Sequence, residues 1–284
     1  MEYAELLEKS AEEKKSIACV GLDPVLERIP VKGKDAEDTI VRFYTEMIEA
    51  FDSEDVWPAA FKPNYAFYAQ YGFAGLRALK KIIEMLQDTE VPLILDGKRG
   101  DIGKTSKAYS VEAFDFWKAD ALTISPFLGR DSVAPFIKKA SESGKGLYLL
   151  NRTSNPGAIE FQDLVVEGKP FYMVVSEKIA AWHSECNGAG AVVGATSLEE
   201  LKKICSFYIE KKALVPLLIP GVGAQGGSAE QTVEVLKKCG YPLHLARINS
   251  SSGINFAYEK TGSSDFAGEA ARALAKLNKD IGFK

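Results

Sequence analysis

The sequence predicts a single-domain (β/α)8 barrel of the TIM type. Eight short apolar runs rich in β-branched residues recur along the 284 residues, and amphipathic stretches follow most of them. Parallel strands covered on both faces are expected to be nearly continuous in apolar character, as these runs are. No Pro/Gly/Ser-rich linker divides the chain, so we interpret residues 1–284 as one domain. An open doubly wound sheet is the alternative architecture.

The candidate strands each end in turn or polar residues. They are residues 17–22, 59–62, 92–96, 121–124, 146–150, 189–194, 215–219 and 243–248. Between them, the spacing of apolar residues at Leu76, Leu79, Ile83 and Leu86, and again from Leu198 to Tyr208, predicts helices with one buried face. Capping boxes are predicted where Ser197 precedes Glu200 and where Ser228 precedes Gln231. The longest irregular connection, residues 155–170, is expected to act as a lid.

Composition excludes several classes of function. The chain has 39 acidic and 35 basic side chains, and this net charge of −4 predicts no general attraction to nucleic acid or to an anionic membrane. The four cysteines are scattered, without metal-ligand spacing, and are expected to be reduced thiols. Neither a leader sequence nor an apolar run of ~20 residues is evident, so we expect a cytoplasmic protein.

Charged residues stand where the third strand ends, an unusual place for charge in a barrel strand. Asp96 and Lys98 are two residues apart, so both are expected to point to one side at the carboxyl end of the barrel, where TIM-barrel active sites form. Lys62 ends the second strand and Asp23 the first, and Asp101 follows shortly after Lys98. Flanking carboxylates predict that Lys98 stays protonated, which suits an acid and electrostatic stabiliser rather than a base.

A glycine-rich segment follows the seventh strand. Residues 221–226 fit G-x-G-x-x-G, but no acidic ribose ligand follows, which disfavours a dinucleotide fold. Gly226 and Gly227 lead through Ser228 into a predicted helix, and TIM barrels commonly bind phosphate at this position. We therefore interpret the segment as a phosphate-binding loop.

The motifs resemble those of the orotidine 5′-phosphate decarboxylases, in the branch whose third strand has the pattern D-x-K-R-G-D-I-G-x-T. That pattern is present at residues 96–105, and further matches lie at residues 21–24, 61–64, 154–158 and 220–227. The resemblance extends along most of the chain. It implies a TIM barrel that removes CO2 from orotidine 5′-phosphate in pyrimidine biosynthesis, as a homodimer without metal or organic cofactor.

The resemblance also implies residue roles. Lys62, Asp96, Lys98 and Asp101 would form the charged network, and Lys98 would deliver a proton to C6 of the pyrimidine. Substrate would be bound through Asp23 and Lys62 at the ribose, Ser154 at the pyrimidine, and Gln225 at pyrimidine and phosphate. Asp101, Ile102 and Thr105 would reach into the neighbouring subunit's site, where Ile102 and Thr105 would contact substrate.

One position departs from the family pattern. The family usually has an arginine as phosphate ligand where this chain has Ser252, and Arg247 is the candidate replacement five residues earlier. Two alternatives stay open. One is a Mg²⁺-dependent phosphosugar enzyme of the same barrel group, such as a 3-keto-gulonate 6-phosphate decarboxylase, which shares a D-x-K-x-x-D pattern. The other, suggested by Ser252, is a weakly active or non-catalytic nucleotide-binding barrel.

Overall fold

The computed structural model describes residues 1–223 and 226–283. In this part of the chain, eight strands form one parallel sheet and two short strands form an antiparallel hairpin. The strands are β1 Ala18–Leu22, β2 Ala60–Pro63, β3 Ile94–Arg99, β4 Ala121–Ile124, β5 Gly146–Arg152, β6 Val165–Val166, β7 Lys169–Pro170, β8 Ala189–Val193, β9 Leu217–Ile219 and β10 Ala246–Ser250.

Helices connect the strands and cover the outside of the sheet. The α-helices are α1 Tyr3–Lys14, α2 Ala36–Ser53, α3 Tyr65–Ala69, α4 Gly72–Gln87, α5 Gly103–Val111, α6 Arg130–Ser143, α7 Phe171–His183, α8 Leu198–Glu210, α9 Ala229–Lys238, α10 Ser252–Asn255, α11 Tyr258–Thr261 and α12 Phe266–Ile281. A π-helical turn, Glu112–Phe116, continues α5, and 3₁₀ turns occupy Pro156–Glu160 and Leu243–Leu245.

The parallel sheet closes into a barrel. Its strand order is β2-β1-β10-β9-β8-β5-β4-β3, so β2 and β3 are the two ends of the hydrogen-bonded series. These ends meet through parallel bridges that pair Phe61 with Leu93 and Asn64 with Asp96. The amide of Phe61 also donates to the carbonyl of Pro92 at 2.9 Å. The predicted (β/α)8 barrel is therefore confirmed, and the open-sheet alternative is wrong.

The predicted barrel strands agree with the observed ones to within a few residues, but one predicted strand segment has a different secondary structure. Residues 243–245 form a 3₁₀ turn instead of the start of the last strand, because the amide of Leu245 bonds back to the carbonyl of Pro242 at 3.1 Å. Of the two predicted helix caps, one forms a side-chain hydrogen bond and the other does not. Ser228 accepts the amide of Gln231 at 3.2 Å, whereas the Ser197 side chain makes no cap bond, so that predicted capping box is wrong.

Helix α1 closes the amino end of the barrel. The hydroxyl of Tyr3 donates to that of Tyr148 at 3.1 Å, and the hydroxyl of Ser10 donates to the carbonyl of Ala59 at 3.0 Å. Leu7 of α1 packs into a small apolar cluster with side chains of the barrel strands, including Cys19 and Ile94. Because this end is sealed, the carboxyl end of the barrel is the end left for a site.

Candidate active site

A buried aspartate joins two lysines at the carboxyl end of β2 and β3. Asp96 Oδ2 accepts from Lys62 Nζ at 2.9 Å, and Asp96 Oδ1 accepts from Lys98 Nζ at 2.7 Å. The side chains of Lys62 and Asp96 are 5% and 8% exposed, whereas that of Lys98 is 51% exposed. Lys98 therefore faces the mouth of the barrel, and the other two residues lie beneath it.

The backbone of β3 departs from a regular strand at this point. The register with β4 shifts between Leu95 and Arg99, and Lys98 adopts a φ of +42°. Asp96 and Lys98 still meet, but through this irregular backbone and not through the simple alternation of a flat strand. Arg99 turns outward, where its guanidinium lies over the rings of Tyr65 and Tyr109 and pairs with Glu112 at 2.8 Å.

Asp96 and Lys62 stabilise each other in their ionised forms. Burial by itself would raise the pKa of Asp96, but attraction to Lys62 and Lys98 outweighs it and holds that pKa well below its usual range. Burial would likewise lower the pKa of Lys62, and attraction to Asp96 and Asp23 raises it above its usual value. Lys62 therefore remains an ammonium and Asp96 a carboxylate at neutral pH.

Asp23 follows β1 on the same rim. Burial raises the pKa of its carboxyl, while the Lys62 ammonium and the Ser251 hydroxyl act in the opposite direction. Asp23 Oδ1 is buried and has no hydrogen-bond partner among the described residues. Ser251 comes close to the strand end because Gly21 has no side chain, and a Cβ there would lie 1.8 Å from Ser251 Oγ. Asp23 thus offers one free acceptor oxygen beside the lysines.

Three further residues that the sequence assigns to the site, Asp101, Ile102 and Thr105, lie outside the charged network of this chain. Asp101 Oδ1 accepts the amide of Ile102 at 2.7 Å, and the Asp101 carbonyl accepts the hydroxyl of Ser132 at 2.5 Å. Ile102 is 58% exposed, and Thr105 is exposed near the start of α5. Ile102 and Thr105 therefore project from the rim, and the Asp101 carboxylate bonds the neighbouring amide instead of joining Lys98.

The glycine-rich loop after β9 folds back on itself. The amide of Gly223 donates to the carbonyl of Gly227, and that of Gly227 to the carbonyl of Gly221, both at 3.0 Å. Gly226 is exposed with a φ of +87°, a conformation that favours glycine. The loop leads into α9, which Ser228 caps. Gln225, predicted to contact substrate, lies outside the described residues.

The loop after β10 lies beside this glycine-rich loop. Ser250 Oγ is 3.0 Å from where a Cβ would stand on Gly253 and 3.8 Å from the corresponding point on Gly223. Ser252, partly buried, begins the short helix α10. The two loops thus come together at the place where the sequence predicts phosphate binding.

Arg247 does not lie near the loops after β9 and β10, so its predicted role in substrate binding is wrong. Its side chain is fully buried at the opposite end of the barrel, where the guanidinium donates to four carbonyl oxygens at 2.6 to 3.1 Å, those of Leu7, Ala59, His244 and Ala246. The reason is position on the strand. Arg247 is the second residue of β10, near its amino end, and phosphate would approach the carboxyl end.

Ser154 follows β5 and packs against β8. A Cβ on Gly194 would stand 2.8 Å from the Cα and Cβ of Ser154, so the glycine allows this contact. The segment after Ser154 contains the 3₁₀ turn Pro156–Glu160 and the β6–β7 hairpin, which the sequence did not predict. Apolar side chains of this segment are exposed, including Phe161 at 63% and Val165 at 72%.

Thr123 is a site residue that sequence reasoning missed. Its hydroxyl on β4 donates to Asp96 Oδ1 at 2.8 Å and accepts the amide of Lys98 at 2.9 Å. The available signal was a hydroxyl inside the otherwise apolar run Ala121–Ile124. A threonine in a strand is too common to attract notice without the position of its neighbours.

Neither a metal cluster nor a membrane helix is found among the described residues. No three side chains of His, Cys, Asp or Glu in residues 1–223 and 226–283 converge as metal ligands would. In the same ranges, every helix is too short or too polar to cross a bilayer.

Fold and site together define a (β/α)8-barrel enzyme with a lysine–aspartate–lysine array at the carboxyl ends of its strands. The sequence model of the orotidine 5′-phosphate decarboxylase / HUMPS family matches residues 18–240. The chain belongs to this family.

Individual relatives agree with the family match along nearly the whole chain. The orotidine 5′-phosphate decarboxylase of Thermomicrobium roseum is 40% identical over 283 residues, covering 99% of this chain and 94% of the relative. That of Herpetosiphon aurantiacus is 42% identical over 269 residues, covering 94% and 92%. Among solved structures, the putative orotidine-monophosphate-decarboxylase from Toxoplasma gondii superposes with a TM-score of 0.80 at 30% identity, covering 99% and 98%.

Proposed function

We propose that this protein decarboxylates orotidine 5′-phosphate to uridine 5′-phosphate, as a carbon–carbon lyase of pyrimidine biosynthesis. The observation that supports this most is the array of Lys98, Asp96 and Lys62, in which a buried carboxylate holds an ammonium at the mouth of the barrel. The full-length relatives named for this activity support the same substrate.

The array suits a reaction that develops negative charge on carbon. When the C6–carboxylate bond breaks, CO2 departs and its bonding electron pair stays on C6 as a carbanion that the ring delocalises poorly. The Lys98 ammonium would stabilise this pair electrostatically and then transfer a proton to it, forming the C6–H bond of the product. Asp96 would lie near the departing carboxylate, and Lys62 would keep Asp96 ionised. These steps need only groups that the chain itself supplies.

The remaining rim residues would bind the rest of the substrate. The free oxygen of Asp23 and the nearby Lys62 are suited to ribose hydroxyls, and Ser154 to the edge of the pyrimidine. Gly226, Gln225 and the loop at Ser252 would hold the phosphate through backbone amides and neutral side chains. Such remote contacts would convert binding energy into positioning of C6 against Lys98.

We also propose a homodimer in which each chain completes its partner's site. Asp101, Ile102 and Thr105 do not join the charged array of their own chain, and Ile102 and Thr105 are exposed, a placement that suits contact with a second subunit. Ile102, Phe127 and Phe161 are each more than half exposed at this end of the barrel. Apolar surface of this kind often marks an interface between proteins.

A direct assay of orotidine 5′-phosphate tests the proposed function. Ultraviolet absorbance should fall as the substrate is consumed, at the same rate with and without EDTA. Loss of activity in EDTA that Mg²⁺ restores, or turnover of a phosphosugar instead, would favour the Mg²⁺-dependent alternative within the family. Binding of orotidine 5′-phosphate without turnover would indicate a non-catalytic barrel.

A further inference from the structure

Thr123 lies on β4 and contacts both residues of β3 that belong to the charged array, Asp96 and Lys98. Its side chain is 1% exposed, and its single hydroxyl makes two hydrogen bonds. The oxygen accepts the backbone amide of Lys98 at 2.9 Å, and the hydrogen goes to Asp96 Oδ1 at 2.8 Å. One hydroxyl thus contacts the backbone of the proposed proton donor and the carboxylate that holds its ammonium.

The strand register shows why a hydroxyl is needed there. Leu95 pairs with Leu122 and Arg99 pairs with Ile124, so three residues of β3 face the single residue Thr123 of β4. Such a bulge takes the extra residues out of the regular ladder of backbone hydrogen bonds. The Thr123 side chain then accepts the amide of Lys98 in place of a backbone carbonyl.

The backbone of Lys98 needs this support. Its φ of +42° lies in the left-handed region, which a non-glycine residue occupies only when its surroundings hold it there. The left-handed turn aims the Lys98 side chain back at Asp96, where Nζ lies 2.7 Å from Oδ1. Without the Thr123 acceptor, the amide of Lys98 would lose its partner and the turn would lose its anchor.

We propose that Thr123 is a positioning residue for the decarboxylation, which fixes the Lys98 backbone and the Asp96 carboxylate so that the ammonium stays aimed at C6. The proposal rests on the proposed function for its kinetic consequences. Thr123 acts through Lys98 and Asp96, and it neither donates a proton to substrate nor binds the phosphate.

Valine and serine substitutions separate the hydroxyl of Thr123 from its volume. Thr123→Val keeps the shape and removes both hydrogen bonds, and it should lower kcat by about 10- to 100-fold because small displacements of reacting groups have effects of this size. KM and the inhibition constant of uridine 5′-phosphate should change by less than about threefold, since the ribose and phosphate contacts are untouched. Thr123→Ser keeps the hydroxyl and should restore kcat to within about threefold of the parent.

Thr39 offers a matched control on the outer helix α2. It is also buried, at 6% exposed, and its hydroxyl accepts the amide of Gly33 at 2.9 Å. Thr39→Val should leave kcat unchanged. Three results would overturn the proposal: a parent-like kcat in Thr123→Val, a kcat in Thr123→Ser as low as that in Thr123→Val, or an equal fall of kcat in Thr39→Val. If Thr123→Val does not fold, the kcat of Thr123→Ala is compared with that of Thr123→Ser instead.

Amide hydrogen exchange tests the positioning without any turnover. The Lys98 amide should exchange faster in Thr123→Val than in Thr123→Ser, because only the serine hydroxyl can accept it. Unchanged Lys98 exchange in the valine variant would overturn the proposal even if kcat fell. Conversely, faster Lys98 exchange in Thr123→Val, together with a parent protein that does not consume orotidine 5′-phosphate, would support the positioning and overturn the proposed function.

Discussion

At the scale of single residues, the Asp96 carboxylate is the centre of the site. Each of its oxygens accepts from one ammonium, and Thr123 adds a third donor. Burying a carboxylate costs several kcal/mol unless partners compensate. Lys62, which is slightly more buried than Asp96, depends on Asp96 for the same reason. Charge crowded in this way is typical of functional sites, because the fold alone does not require it.

The pKa shifts of this pair predict a pH dependence of stability. The depressed pKa of Asp96 means that its contribution is present above about 3.9, its unfolded pKa, and is lost only as pH falls through the lower folded pKa. The raised pKa of Lys62 means that its contribution is present below about 10.4 and is lost as pH rises through the higher folded pKa. Both contributions are therefore present from about pH 4 to pH 10.

Asp96→Asn should destabilise the protein by about 3–5 kcal/mol at pH 7, because it leaves the Lys62 ammonium buried without its counter-charge. Urea unfolding across a pH series measures this deficit. It should persist down to about pH 4 and shrink as the pH falls from there toward the lower folded pKa of Asp96, because Asp96 then protonates in the unfolded chain while it stays ionised in the folded parent. A deficit that disappears near pH 6 would show that Asp96 is not held ionised.

Because Ser252 lacks the charge of an arginine, we expect the phosphate end to be the weaker part of the proposed site. Arg247 cannot compensate, because its guanidinium is bonded at the opposite end of the barrel. Ser252→Arg should raise kcat/KM for orotidine 5′-phosphate by about tenfold, since a charge-assisted hydrogen bond contributes about 1.5–3 kcal/mol. Steady-state kinetics measure the change, and the same rate in both proteins would mean that the loop amides already suffice.

At the scale of elements, the end of β3 and the start of β10 show what a strand pattern can and cannot predict. Apolar runs located each barrel strand to within a few residues, because burial on both faces dictates their composition. The bulge between Leu95 and Arg99 was not predictable, since it depends on the register with β4. The position of the Arg247 side chain was not predictable either, because it depends on whether the residue lies at the amino or the carboxyl end of β10.

Helix α1 is held to the barrel by that arginine. The Leu7 carbonyl of α1 accepts from the Arg247 guanidinium at 2.6 Å. Arg247→Met keeps the volume but removes the donors, and we expect a loss of about 2 kcal/mol of stability because buried carbonyl oxygens lose their partners. Thermal unfolding measures the loss, and hydrogen exchange should increase in α1. KM for orotidine 5′-phosphate should stay within about threefold of the parent value. A large rise in KM would indicate that Arg247 contributes to phosphate binding after all.

At the scale of the whole molecule, the site residues divide between the barrel interior and its rim. Lys62, Asp96 and Lys98 lie together, as the sequence predicts, because the carboxyl ends of parallel strands converge at one edge of the barrel. The roles of Asp101, Ile102 and Thr105 depended on the resemblance, since no spacing within one chain reveals what a second chain contacts. A single chain leaves these residues on an exposed apolar rim.

The proposed dimer predicts that assembly and activity change together. Ile102→Asp places a charge on the rim, so sedimentation equilibrium should show a shift from dimer to monomer and the specific activity should fall. Leu214→Asp is the matched control, since Leu214 is 48% exposed but precedes β9 at the other end of the barrel. A parent chain that is monomeric at micromolar concentration and fully active would contradict the shared site.

The turnover number of Lys98→Ala tests the central claim most directly. The substitution removes the proposed proton donor and its positive charge but leaves Asp23, Ser154 and the proposed phosphate loops in place. We expect kcat for orotidine 5′-phosphate to fall by about 10⁴-fold or more, because general acid catalysis and electrostatic stabilisation are lost together. Product binding should persist. A variant that retains kcat within about tenfold of the parent would contradict the assignment of Lys98 as proton donor.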